Sequence, residues 1–335
     1  MLTRTVAIHY VTAALRGARR AGRPVDPLLD AAGIGPALLA DTRARVTPEQ
    51  YTRLIQALWD DLDDEFMGLA PRRSKRGTFA TMCLLAVHCP SLESALRRGM
   101  AFYDLFDVEP APALRADPTA PTARLELDTG ALDDPDRFLV ESLLVLWHRF
   151  SSWLIGRRIP LRSAALAHPE PPHVAEYHLI FGCPLRFDAG ITALEFDTRF
   201  LRMPVAQDEA ALRRFLRNSP AELLSRRDHG AATSGQVRRE LGSGAPGLPE
   251  VAARLGVSAA TLRRRLTAEG TTFREVREQL LRDQAVASLV RGGESVEELA
   301  LRLGFSEASA FHRAFKRWTG SSPGAYRTGA APRYR

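Results

Sequence analysis

Apolar residues recur along most of the chain at the three-and-four spacing of amphipathic helices, and only a few short segments alternate as strands do. Thr47-Pro48-Glu49-Gln50 combines a capping threonine, proline at the first helical position and glutamine three residues on, and opens a helix running toward Leu62. Ser91 opens another through Leu105, and Asp136–Ile155 reads as a long, mostly apolar helix. Arg124–Leu127, Leu161–Ala167 and Thr192–Asp197 read as strands between Pro and Gly breaks. Strands mixed with helices in this way predict an α+β domain over residues 1–225. From Arg226 to Pro249 the periodicity lapses into a Gly-, Ser- and Pro-rich stretch, although Gln236–Leu241 can form a short helix. We place a linker at 226–247 and an all-α domain at 248–328.

The all-α domain repeats itself. In Leu248–Leu266, Val251, Ala252 and Leu255 form one apolar side, Gly256 ends the helix, and Ser258 caps a second helix buried through Leu262 and Leu266. In Val296–Phe315 the same frame returns, with Ala252, Leu255 and Gly256 matched by Ala300, Leu303 and Gly304, each 48 positions on. After the turn the offset is 49, pairing Leu262 with Phe311, Arg264 with Arg313 and Leu266 with Phe315. This is the grammar of two helix-turn-helix units. Thr272-Phe-Arg-Glu275 and Ser295-Val-Glu-Glu298 are capping boxes, the first opening a long connecting helix that ends at Gly292-Gly293. About 18 residues of helix span roughly 27 Å. That length suits two reading helices one DNA turn, about 34 Å, apart.

Composition and charge refine the picture. Of 46 basic residues only Lys75 and Lys316 are lysine, and the formal net charge is +7. Leu248–Arg327 holds thirteen basic and nine acidic residues, an excess that fits a nucleic-acid partner. Cys83, Cys89 and Cys183 cannot pair completely and include no Cys-x-x-Cys, so neither a disulfide framework nor a four-thiolate zinc site is expected. No apolar run reaches the ~20 residues needed to cross a bilayer, and His9, Tyr10 and Thr12 interrupt Val6–Leu15 as a signal-peptide core. A cytoplasmic protein without membrane partner, metal or cofactor is expected.

On the outward side of the first reading helix lie Ala260, Arg263 and Arg264, and on the second Ser309, His312 and Arg313. An arginine fork can bond guanine O6 and N7 together, and alanine can touch only a thymine methyl. Ser258, Arg265, Ser306, Lys316 and Arg317 are assigned to phosphates, which set affinity rather than sequence choice. In the long helix at 136–155, Glu141, His148 and Ser152 share one line on an otherwise apolar surface. Glu141, His148 and Trp147 are the candidate effector-binding residues, with a solvated stripe or a satisfied core histidine as the competing reading. No phosphate loop, nucleophile elbow or HExxH occurs, so no catalytic residue is assigned.

Gly304–Arg327, GFSEASAFHRAFKRWTGSSPGAYR, resembles the signature of AraC/XylS-type transcriptional regulators, above all in Gly320-x-Ser322-Pro323-x-x-Tyr326-Arg327. The likeness extends back through both helix-turn-helix units. One departure lies in the connecting helix, where the family often has Arg at the position of Leu281 and this chain has Arg282 next to it. Glu176–Pro204 is similar to the arabinose-binding-like effector domain of an AraC subgroup, with Thr192 where Asn is common. The resemblance implies a bacterial regulator, not an enzyme, that binds double-stranded DNA at promoter sites and responds to a small effector. It also implies contact with RNA polymerase and a homodimer. The effector can be a fatty acid, aromatic acid or amino-acid derivative, given Phe102, Phe106, Trp147 and Trp153. Two rivals stand beside this reading: an AraC-like module fused to an enzyme such as an alkyl-acceptor DNA repair protein, and a nonspecific architectural DNA binder.

Overall fold

The computed structural model describes residues 5–106, 110, 112–117, 119–130, 132, 134–218, 233–242 and 246–328. Its elements begin with β1 (Val6–Ala7), α1 (Ile8–Ala14), α2 (Arg16–Arg20), α3 (Asp26–Ala32), β2 (Arg45–Val46) and α4 (Pro48–Leu62). They continue with α5 (Thr78–Val87), α6 (Leu92–Asp104), β3 (Pro112–Ala116), β4 (Thr122–Leu127), α7 (Phe138–Leu154) and β5 (Leu161–Ala165). Next come α8 (Val174–Phe181), β6 (Leu185–Arg186), β7 (Thr192–Asp197) and α9 (Glu209–Asn218). The last are α10 (Thr233–Leu241), α11 (Leu248–Arg254), α12 (Ala259–Ala268), α13 (Phe273–Arg291), α14 (Val296–Arg302), α15 (Ala308–Thr319) and α16 (Pro323–Thr328).

The chain forms two units that interleave in sequence. One holds Met1–Thr12, Pro24–Leu54 and Ser225–Arg335, the other Ala13–Arg23 and Ile55–Leu224. This differs from a contiguous domain over 1–225, because two N-terminal segments fold with the helix-turn-helix region. The expected linker at 226–247 is also revised. Residues 226–232 and 243–245 lie outside the described residues, but Thr233–Leu241 is helical. Its Val237 and Leu241 join Val251, Ala252, Leu262, Leu266, Val276 and Leu280 in one core. Burying each of these valine and leucine side chains stabilises the fold by about 1.5–3 kcal/mol.

The second unit carries a five-stranded sheet of order β3-β4-β7-β5-β6. All pairs are antiparallel except β5 with β6. In β4, Ala123, Leu125 and Leu127 are buried while Arg124 faces water, the alternation of a half-covered antiparallel sheet. Leu125 lies between Leu114 and Leu194 in register. The α+β class expected for this part of the chain holds. Asp134 starts α7 by accepting from the Phe138 and Val140 amides at 3.0 and 3.1 Å. The helix is buried on most sides, with Leu139, Trp147, Phe150 and Leu154 among its covered residues.

In the first unit, β1 and β2 form a two-residue ladder. The same unit contains a buried ionic cluster. Asp283 of α13 accepts from Arg238 Nη2 of α10 at 2.6 Å and from the Thr5 hydroxyl. Arg45 of β2 donates through Nε to that hydroxyl at 2.7 Å and through Nη2 to the Thr5 carbonyl at 2.8 Å. The Arg45 amide donates to the Tyr326 hydroxyl at 3.0 Å. Arg282 contributes a further guanidinium 3.7 Å from Asp283. Burial acts to raise the Asp283 carboxyl, but Arg238, Arg282 and Arg45 with the Thr5 hydroxyl hold it below its ordinary value. Burial, reinforced by the neighbouring Arg45, lowers Arg282 to about 9.

Candidate nucleic-acid interface

Each helix-turn-helix is set by a glycine in the left-handed region, Gly256 at φ 66° and Gly304 at φ 85°, where a side chain would be strained. In the first, Val251 and Ala252 meet Leu262 and Leu266, which leaves the other side of α12 in solvent. Ala260, Arg263, Arg264 and Arg265 are exposed on that side. Ser258, also exposed, caps α12 by accepting from the Thr261 amide at 3.1 Å. In the second, Leu299, Ala300, Phe311, Ala314 and Phe315 are buried. Ser309, His312, Arg313, Lys316 and Arg317 are exposed on α15. Ser306 is exposed too, but Glu307 holds the N-cap position, and Ser309 donates to its carboxylate at 3.0 Å.

Arg263, Arg264, Arg265, Arg313 and Lys316 have no acidic partner among the described residues, whereas Arg317 lies 3.6 Å from Glu278. Unneutralised cations on a rigid helix can take phosphate oxygens, and a guanidinium can also take the acceptor pair of guanine. α13, which joins the two halves of the repeat, has 19 residues and is therefore about 28 Å long. Arg282 belongs to the buried cluster around Asp283 and not to this exposed surface. Tyr326, from the closing signature, is buried against Phe315 with ring centres 5.2 Å apart.

The candidate effector residues separate. Glu141 is buried and accepts from the Tyr177 hydroxyl and from His173 Nε2, the latter at 3.2 Å. His148 donates through Nε2 to the Ile159 carbonyl at 2.8 Å, and Ser152 accepts from the Ile159 amide at 3.2 Å. The polar line on α7 is therefore hydrogen-bonded to α8 and its N-terminal flank and to the segment leading into β5. Trp147 lines a cavity to which neither Glu141 nor His148 contributes. This cavity of about 370 Å³ lies within the second unit, walled by α4, α5, α6, α7 and α9. Its lining includes Trp59, Glu65, Phe79, Tyr103 and Trp147. Sequence reading missed Glu65, because it sits in a connection with no periodic or motif signal.

Nothing in the cysteine chemistry favours alkyl transfer. Cys83 and Cys89 are buried. Burial pushes the Cys83 thiol up and raises Cys183 to about 12, the opposite of an activated thiolate. Among the described residues no three His, Cys, Asp or Glu side chains group as a metal site, and no helix is long and apolar enough to cross a membrane.

Two helix-turn-helix units on one connecting helix, together with a cavity-bearing α+β unit, define a DNA-binding transcriptional regulator with an effector-binding domain. The chain belongs to the AraC family: residues 22–205 match the arabinose-binding N-terminal domain of AraC transcription regulators, and residues 251–329 match a helix-turn-helix domain. It is 25% identical over 329 residues to the ornithine utilization regulator of Pseudomonas aeruginosa, covering 96% of each chain. It is also 29% identical over 180 residues to the HTH-type transcriptional regulator VirS of Mycobacterium tuberculosis, covering 51% of each. A similar solved structure is the transcriptional regulator CdpR from Pseudomonas aeruginosa, with 22% identity, a TM-score of 0.32 and coverage of 96% of this chain and 98% of that one.

Proposed function

We propose that α12 and α15 enter successive major grooves on one side of promoter DNA. Arg263, Arg264, His312 and Arg313, with Ala260 and Ser309, meet base edges. Ser258, Arg265, Ser306, Lys316 and Arg317 meet phosphates. The observation that supports this most is the set of unpaired cations on the solvent sides of two helices built on one repeated frame. A small effector bound in the second unit changes promoter occupancy or contact with RNA polymerase, and a homodimer is the working form. With DNA as partner, the place of action is the cytoplasm. Among fatty acids, aromatic acids and amino-acid derivatives, the name of the Pseudomonas aeruginosa ornithine utilization regulator favours an amino-acid derivative.

Footprinting of the full chain on its own upstream region tests the reading. Protected major-groove positions about one turn apart are expected. Arg264→Ala and Arg313→Ala should each lose about 1–3 kcal/mol at particular base pairs. Uniform weakening on every sequence would instead favour nonspecific architectural binding and overturn the base-reading assignment.

A further inference from the structure

The cavity of the second unit contains a polar arrangement that the fold does not fully use. Glu65 lines it. Its carboxylate accepts from the Gly77 and Phe79 amides at 2.8 and 2.9 Å, at the start of α5. The Trp59 indole donates to the Glu65 carbonyl at 3.0 Å, so backbone and side chain are both held in place. The adjacent acid, Asp64, is spent on the loop itself, accepting from the Phe66, Gly68 and Ser74 amides. Glu65 has no Arg, Lys or His partner among the described residues. Arg76 also lines the cavity but is paired with Asp60, and Arg217 is exposed to solvent.

The walls around Glu65 are aromatic. Tyr103 is 6% exposed, lines the cavity, and its hydroxyl has no hydrogen-bond partner among the described residues. Phe79 and Trp147 add further ring surface. Aromatic rings attract cations, and a carboxylate withdrawn from water gains most from a charged donor. At about 30 Å³ per water-sized group, the space of some 370 Å³ admits a ligand of roughly a dozen non-hydrogen atoms.

We infer that this cavity is the effector site and that it takes an organic amine in its ammonium form, with the ammonium on the Glu65 carboxylate and the Tyr103 hydroxyl and the apolar body among the rings. This rests on the reading of the chain as an effector-controlled regulator. It replaces Glu141 and His148 by Glu65 and Tyr103, and retains Trp147 as wall.

Calorimetric titration of the full chain, without DNA, tests the site. The probes are n-hexylamine, hexanoate and hexan-1-ol at pH 7.5. Saturable binding of hexylamine, at least about tenfold tighter than either isostere, is expected. Glu65→Gln should remove about tenfold of that affinity, and Tyr103→Phe a smaller part. Equal binding of amine and carboxylate by the unaltered protein, or no amine binding, overturns the inference whatever the variants do. Footprinting with and without hexylamine is read separately. Amine binding that leaves the footprint unchanged supports the cavity chemistry but contradicts its effector role. A sequence-specific footprint with no amine binding keeps the regulator and removes the amine site.

Discussion

Asp283 and Glu65 are both withdrawn from water, one in each unit, yet their surroundings push them in opposite directions. Asp283 is held below its ordinary value because the guanidinium groups of Arg238, Arg282 and Arg45 and the Thr5 hydroxyl outweigh burial. Glu65 is raised to about 7 because burial outweighs the Phe79 and Gly77 amides and the Ser74 hydroxyl, with Asp64 adding a further push. Burial alone therefore does not decide what a carboxyl does in this protein. The supply of cations decides it: one acid is saturated and structural, the other is left with neutral donors, two amides and the Ser74 hydroxyl, and an open chamber.

The largest effect is expected at Asp283. Asp283→Ala leaves Arg238 and Arg45 buried without an anion, and about 3–5 kcal/mol of stability should be lost in thermal or urea unfolding. A loss below about 1 kcal/mol would show that the cluster is not saturated in the way its hydrogen bonds indicate. The pH dependence has the ordinary sign for a depressed carboxyl. The stability contributed by Asp283 is present above the ordinary aspartate range and disappears as pH falls through its lower folded value.

Glu65 should behave in reverse. Between its ordinary 4.5 and about 7 the folded protein holds a proton that the unfolded chain has lost, so stability falls as pH rises through that window. Glu65→Gln should therefore be more stable than the parent at pH 8, by about 2–3 kcal/mol, and not at pH 4. Amine affinity should rise over the same window, since the carboxylate is the binding form. The groups facing Glu65 are Asp64, Cys83, Tyr103 and Arg76. Of these, Cys83 and Tyr103 are pushed up by burial and stay neutral there. Smallest is Thr272→Ala, which removes the hydroxyl that accepts from the Glu275 amide at 3.2 Å in the exposed capping box of α13. It should cost about 1 kcal/mol at any pH from 6 to 9, a baseline against which the two buried acids can be read.

The reading surface is legible in sequence because its determinants are local. A glycine at the turn, a cap and an apolar residue every third or fourth position lie within one window, and the duplication repeats the evidence. α4, α6, α7, β4, β5 and β7 are legible for similar reasons. α5 is not, because Thr78–Val87 is apolar on all sides and has no period to detect. The cavity is illegible too: Trp59, Glu65, Tyr103 and Trp147 come from four separate segments, and only tertiary folding brings them to one chamber. On α7 the stripe of Glu141 and His148 is visible, but pattern alone cannot tell a ligand from the Tyr177, His173 and Ile159 partners that meet it. The tie of Thr5 to Asp283 spans 278 positions and leaves no trace in either neighbourhood.

That last tie bears on how such regulators can be recombined. A chimera that grafts the reading helices onto a foreign sensor by joining the chains at residue 225 would inherit Arg238 and Asp283 but leave behind Thr5 and Arg45. The Tyr326 hydroxyl would lose its amide donor in the same cut. The transferable cassette is discontinuous, made of residues 5–12, Pro24–Leu54 and the C-terminal helices. Exchange of specificity between relatives is then easiest by replacing the exposed side chains of α12 and α15, and hardest by moving the module whole.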